Sequence, residues 1–313
     1  MKALDYKTSK AYLRDSFIDF ESANLSIASS PVLYGLSVYT VFNVSWDEPH
    51  QRLIIFRPRD HYDRLISSSS IMDFNSFADD WPYPKFEKLL VDLLKHNQVK
   101  EDVLVRVSVF VDELVAGTRL NGLTNSLSAY IYPKGEILKR SGANLCVSSW
   151  TRTSDNSIPS RAKVNGSYIN ASLMKNEALQ NGYDDAISID QHGHVAESTV
   201  ANIFIIRGGK LITPDSSTDI LEGITRDSVL QLAQELGLQV VERSVDRSEL
   251  YVCDEAFLSG SSADIVPILS IDRRPIGNGK AGNLTKQIAK EYELARLAKN
   301  RKHEKWCMVV ECP

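Results

Sequence analysis

Residues Ile158 to Asn202 read IPSRAKVNGSYINASLMKNEALQNGYDDAISIDQHGHVAESTVAN, and the fold turns on how this stretch is parsed. Lys163 stands in a run of mostly small and polar residues. Tyr168–Asn181 then reads as a helix, and Asn181-Gly182 is a usual C-terminal stop for one. Ala186–Asp190 follows as a short strand, and the polar QHGH turns the chain. A second strand-like run carries one carboxylate, Glu197, among small residues.

A lysine and a carboxylate set apart in this way can serve pyridoxal chemistry. The amine forms a Schiff base with the aldehyde, and the carboxylate keeps the ring nitrogen protonated so that the ring draws electrons. On the pair alone, a solvated surface lysine is the commoner reading, because that is the ordinary state of the residue. The residue order adds more. IPSRAKVNGSY, EALQNGYDDAISID, HVAESTVANIF and LEGITRD resemble, in family order, the corresponding blocks of the branched-chain aminotransferases. These are fold-type IV pyridoxal-phosphate (PLP) enzymes, and the similarity extends from about Ala28 to Lys286, densest in the second half. The resemblance implies a small N-terminal α/β domain and a larger C-terminal pseudo-barrel domain.

Composition agrees with an enzyme of this size. A chain of 313 residues can bury one large or two medium cores. Its net charge of −4 argues against a dedicated nucleic-acid binder. No apolar run approaches the ~18 residues that a membrane span needs. The charged start, MKALDYKTSKAYLRD, has no apolar signal core, so a cytoplasmic location is expected. Cys146, Cys253, Cys307 and Cys312 are irregularly spaced and suggest no zinc site. They read as reduced thiols, with a cross-link between the last two as the alternative.

Along the chain, Ser37–Val44 and Arg52–Phe56 read as strands, with SWDEPHQ as the polar loop between them. A helix is expected over Asp60–Ser69, placing His61 and Arg64 on one face, and an amphipathic one over Lys85–Asn97. Val103–Val111 is a strand with Arg106 inside it. That arginine points to solvent, pairs with a carboxylate, or binds an anionic ligand. Ala129–Tyr132 closes a first domain, 1–132; 133–143 is the linker, and 144–313 the second domain, opened by the strand Asn144–Ser149. His192 and His194 lack a third metal ligand nearby and read as turn residues. Gly208-Gly209 makes a two-residue hairpin. Within LEGITRDSVLQLAQELG a helix starts near Ile224 or Thr225; its free N–H groups could hold an anion, or the junction is a plain one with Thr225 as its cap. GNGKAG fails the spacing of a phosphate loop. A last helix spans Asn283–Ala298, and the tail KNRKHEKWCMVVECP suggests no role.

Carried over residue by residue, the resemblance implies that Lys163 forms the Schiff base and moves the α-proton, that Tyr168 bonds the ring's 3-oxygen, and that Glu197 sits at the ring nitrogen. Leu221 would pack on the ring, while Arg64, the N–H groups of Ile224 and Thr225, and Ser261 would hold the phosphate. Tyr34, Tyr39, Arg106, Ser262 and Ala263 would face the substrate. No metal is expected. The substrate side departs from the family, which usually reads S-[VIL]-F-E-G where this chain has Ser37-Val38-Tyr39-Thr40-Val41. A tyrosine common two residues before the strand arginine is here Leu104. The implied activity is transamination between an amino acid, branched-chain or otherwise apolar or aromatic, and 2-oxoglutarate, by a homodimer. The alternatives are a lyase resembling aminodeoxychorismate lyase and a non-catalytic relative.

Overall fold

Val103–Val111 is β-branched along most of its length, and such a strand is stable where both its faces are covered. In the computed structural model, which describes residues 6–74 and 77–311, it lies at the centre of a seven-stranded sheet. Ser37–Asp47 and Arg52–Phe56 flank it on one side, Asn125–Pro133, Lys10–Leu13 and Ser16–Asp19 on the other. Neighbouring strands are antiparallel throughout. Helices Pro58–Ile71 and Tyr83–His96 pack on this sheet, the second burying Phe86, Leu89, Leu90, Leu93 and Leu94.

The structure corrects the sequence-based boundaries in several places. Ser45, Trp46 and Asp47 continue the strand instead of looping, because Ser45 and Trp46 pair with Ile54 and Leu53; the turn shrinks to Glu48–Gln51. The tail, without an expected role, forms the strand Cys307–Glu311 on the edge beside Arg52–Phe56. Just before it, the Trp306 carbonyl accepts from the Arg57 N–H, and the Arg57 guanidinium lies 4.9 Å over the indole. Arg57 caps the helix start in a left-handed conformation, so the tail supports the helix that carries His61 and Arg64. Cys312, the partner in the cross-link alternative, lies outside the described residues.

By packing, the chain forms two compact units. One holds the chain up to Gly135, together with Ala162–Gly166 and the chain from Ala295 on. The other holds Glu136–Arg161 and Ser167–Leu294. The linear division at 133–143 is thus crossed by two later stretches. Ala162–Gly166 joins the first unit because Val164 bridges Val38, and the tail joins it through the edge strand.

The second unit is a ring. Asn202–Arg207 pairs with Glu255–Gly260, which pairs with Asp264–Ile271; Ala143–Thr151, Asp185–Ile189 and Val195–Ser198 follow in turn. Val195–Ser198 then returns to Asn202–Arg207 through the single pair Asn202 opposite Glu197. Six strands therefore close into the expected pseudo-barrel, with Lys210–Thr213 and Gln239–Glu242 continuing outside it. Leu145, Ile187, Val195, Ile203, Leu258 and Val266 fill its core. The Gly208-Gly209 hairpin has φ of 56° and 74°, the left-handed pair that a tight turn between twisted strands requires. Among the described residues no helix is long and apolar enough to cross a membrane.

Leu65 is fully buried on the helix beside Arg64. Leu65→Ala should lower the unfolding free energy by about 2–5 kcal/mol, the usual range for a buried leucine that leaves a cavity. Urea denaturation of the two proteins measures it.

Candidate active site

Lys163 sits in an irregular segment whose backbone is fixed from two sides. Its N–H donates to the buried Ser68 hydroxyl, 3.1 Å away on the helix Pro58–Ile71. Its carbonyl accepts from the Tyr39 N–H at 3.0 Å. Two residues on, Asn165 donates through Nδ2 to the Ser37 hydroxyl at 2.6 Å and accepts at Oδ1 from Arg106 Nη2 at 2.5 Å. Gly166 lies so close to Gly35 that a Cβ on Gly35, itself at φ 68°, would stand 2.8 Å from the Gly166 Cα. A lysine on such a pinned loop presents its amine with little backbone freedom left to lose.

The aromatic ring of Tyr39 collects two cations. The Arg106 guanidinium stacks 3.6 Å from its centroid, and Lys163 Nζ lies 4.9 Å from it. Of the three fates open to Arg106, the strand gives none in pure form. It is half-buried, stacked on an aromatic face and bonded to an amide oxygen. Tyr34 ends the short helix Ser30–Tyr34 and is 41% exposed. Leu104 is buried in the strand core.

His61 and Arg64 do lie on the helix Pro58–Ile71, one turn apart, with His61 buried and Arg64 half-buried. His61 Nδ1 is hydrogen-bonded to the Thr40 hydroxyl at 2.7 Å, and its ring lies 5.2 Å from that of Phe42. Burial pushes its pKa well below the ordinary imidazole value, and the nearby charges of Arg64, Arg57 and Lys163 push the same way. The ring is therefore neutral inside a cationic cluster.

In the second unit, Glu197 is buried and both carboxylate oxygens are held. Arg152 Nη2 meets Oε1 at 2.7 Å, while Oε2 accepts from Asn202 Nδ2 at 2.9 Å and from the Leu221 N–H at 3.2 Å. Asn202 Nδ2 also donates to the Leu221 carbonyl at 2.9 Å. Its Oδ1 lies 2.1 Å from where a Cβ of Gly223 would be, which explains a residue without a side chain there. Gly223 is the N-cap of the helix Ile224–Glu235 and, as a glycine, brings no capping side chain of its own. The N–H groups of Ile224 and Thr225 thus open a helix whose dipole favours an anion. Ser261, Ser262 and Ala263 form the turn between Glu255–Gly260 and Asp264–Ile271, pinned by an Arg140–Asp264 ion pair of 2.8 Å. Tyr168 is half-buried as the first residue of the helix Tyr168–Gln180.

Each unit thus gathers its own share of the expected residues. Lys163, Arg64, Tyr39 and Arg106 belong to the first; Tyr168, Glu197, Leu221, Ile224, Thr225 and Ser261 belong to the second. Sequence reasoning missed Ser68, Asn165, Arg152 and Asn202, all bonded to the expected residues through the fold. Asn202 sits inside HVAESTVANIF and was within reach. Arg152 is an arginine after an apolar strand, which is no signal by itself. His194 pairs with Asp246 at 3.0 Å, and the described residues contain no group of metal-binding side chains.

Comparison with known proteins bears on the chain as a whole. The family described as "Amino-transferase class IV" matches residues 37–271. A protein named probable branched-chain-amino-acid aminotransferase, from Aquifex aeolicus (strain VF5), is 38% identical over 304 residues, 96% of each chain. The branched-chain aminotransferase of the thermophilic archaeon Thermoproteus uzoniensis, solved with norvaline, superposes with a TM-score of 0.90 at 34% identity, over 96% of this chain and 99% of that one. The PLP-form of the Thermobaculum terrenum branched-chain amino acid aminotransferase gives 0.88 at 31% identity, over 97% and 99%.

The buried His61 generates a prediction about acid stability. Below about pH 6.5 the unfolded imidazole binds a proton that the folded one refuses, so stability falls as pH falls through that range. The contribution is at most about 1.4 kcal/mol per pH unit. Unfolding free energies measured from pH 7 to pH 5 should show this slope, and His61→Gln should flatten it.

Proposed function

The chain belongs to the class IV aminotransferases, and on that premise we propose that it moves an amino group between an apolar amino acid and 2-oxoglutarate with PLP as its cofactor. Lys163 carries this conclusion, as a lysine at the family's position whose backbone N–H and carbonyl are both held. The donor set suits the cofactor: an amine for its aldehyde, a buried carboxylate for its pyridine N–H, and a helix start with glycine as N-cap and an arginine for its phosphate. When bound, PLP supplies an aldehyde for the amino group and an electron-withdrawing ring.

Lys163 would hold the cofactor covalently through Nζ, and Nζ would then carry the proton taken from the substrate α-carbon. That work needs a neutral amine. A neutral His61 adds no further positive charge to the neighbourhood of Lys163. Glu197 would keep the proton on the ring nitrogen, and Tyr168 would donate to the ring's 3-oxygen. Leu221 would pack against the ring. Arg64, the N–H groups of Ile224 and Thr225, and Ser261 would bind the phosphate. On the substrate side we place Tyr34, Tyr39, Arg106, Ser262 and Ala263. The lyase alternative is not better supported than transamination.

We assign residues 133–143 as the interdomain loop of the working enzyme, and the enzyme itself to the cytoplasm as a homodimer. The family resemblance supports the dimer. Cys146 and Cys253 support a reducing compartment, being free and buried, with thiol pKa values pushed up to about 11 by that burial.

Lys163→Ala should abolish turnover and the borohydride-trappable bond to the protein. A variant that kept wild-type turnover in a 2-oxoglutarate-linked assay would end this assignment.

Substrate choice should follow the altered pocket. Tyr39 is engaged by Arg106, Val41 stands where the family has glycine, and Leu104 offers no hydroxyl. A methylene more or less discriminates by only about 1–3 kcal/mol, whereas a stranded polar group discriminates more strongly. We expect activity on at least one apolar or aromatic donor, with weaker selection of leucine, isoleucine and valine than the family name suggests. Ratios of kcat/KM over these three, phenylalanine and methionine measure it. An exclusive preference for the branched donors would refute the pocket argument alone.

A further inference from the structure

A carboxylate removed from water must find a counter-charge or take up a proton. Glu197 is such a group: its side chain is 8% exposed, in a unit whose core is apolar. Two of its donors, Asn202 Nδ2 and the Leu221 N–H, are neutral and share Oε2. Arg152 Nη2 stands 2.7 Å from Oε1 and brings a positive charge to this carboxylate. The guanidinium is itself fixed, only 12% exposed, with Nε donating to the Asp219 carbonyl at 3.1 Å. Its own backbone N–H donates to the Ile189 carbonyl at 2.8 Å.

Several neighbouring groups of the same unit are engaged elsewhere. From the strand Asp185–Ile189, the Ser188 hydroxyl donates to the Glu197 carbonyl, not to its carboxylate. Lys175 is paired with Asp185 at 3.4 Å. On the far side of Arg152, the Asp219 carboxylate accepts from the Asp155 N–H, and Asp155 accepts from Ser160 and pairs with Arg161 at 3.3 Å.

We propose that Arg152 is a positioning residue for Glu197, holding the buried carboxylate ionised and aimed so that it can keep the ring-nitrogen proton. The role toward the ring rests on the cofactor assignment above; the ionisation of Glu197 does not. Without the guanidinium, Glu197 loses the positive charge that stands 2.7 Å from Oε1, and its proton affinity rises. A carboxyl that takes up a proton more readily is less able to hold one on the cofactor's ring nitrogen.

The test begins with the full-length protein stripped of cofactor. Infrared spectroscopy with isotope-labelled glutamate should show a protonated carboxyl band at pH 7 in Arg152→Gln and none in the wild type or in Arg152→Lys, which keeps the positive charge. The band should vanish in the double variant Arg152→Gln/Glu197→Gln, which assigns it to Glu197. This readout needs no cofactor, so its failure is separate from failure of the aminotransferase assignment. In the PLP-loaded enzyme, Arg152→Gln should lose about 10- to 100-fold in kcat, as groups that orient a functional ligand typically do. Its acid limb in the pH–kcat profile should move to higher pH, and Arg152→Lys should recover most of both. A Glu197 that stays ionised in a folded Arg152→Gln, or equal damage by Lys and Gln with an unmoved pH limb, would overturn the proposal.

Discussion

The ring of six strands closes on one cross-strand pair, Asn202 opposite Glu197, and the side chains of that pair are bonded to each other as well. Closure and site construction are therefore one event in this unit. Bringing Val195–Ser198 to Asn202–Arg207 sets Glu197 under the Asn202 amide, and the same amide fastens the Leu221 carbonyl. The loop before the helix Ile224–Glu235 is fixed in consequence, with Gly223 admitted because any Cβ would collide with the Asn202 oxygen. An asparagine held by two bonds from a single nitrogen cannot swing aside cheaply.

The first unit reaches a comparable precision by different means. No strand carries Lys163; a short segment is strapped to a strand and a helix through Ser37, Tyr39 and Ser68. The helix Pro58–Ile71 serves several purposes along its length, with the tail bracing its start, His61 and Arg64 in its middle, and Ser68 holding the lysine further on. A disturbance of the tail would therefore be felt by residues remote from it in sequence. The neutral Thr40–His61 pair fits here, since a charged imidazole would stand among Arg57, Arg64 and Lys163. Thr40 offers it a neutral hydroxyl partner, which suits a neutral ring.

Much of this protein was legible in its sequence. Strand Val103–Val111, the hairpin at Gly208-Gly209 and the start of the helix at Ile224 follow from local causes: β-branched runs, positive-φ turn residues, and a glycine before a helix. The residue order around Lys163, Glu197 and Leu221 carried the family. Tertiary structure alone decided what those residues touch. Ser68 is 95 positions from the lysine it holds, and nothing in ISSSSI marks one serine above its neighbours. Arg152 meets Glu197 only because the ring brings the end of one strand beside another. The tail became an edge strand because Arg52–Phe56 offered an open row of backbone donors and acceptors, a partner no local pattern reveals. Sequence determines what a segment can form by itself; long-range closure determines which side chains share a charge or a hydrogen bond, since those energies depend on distances that only the folded chain sets.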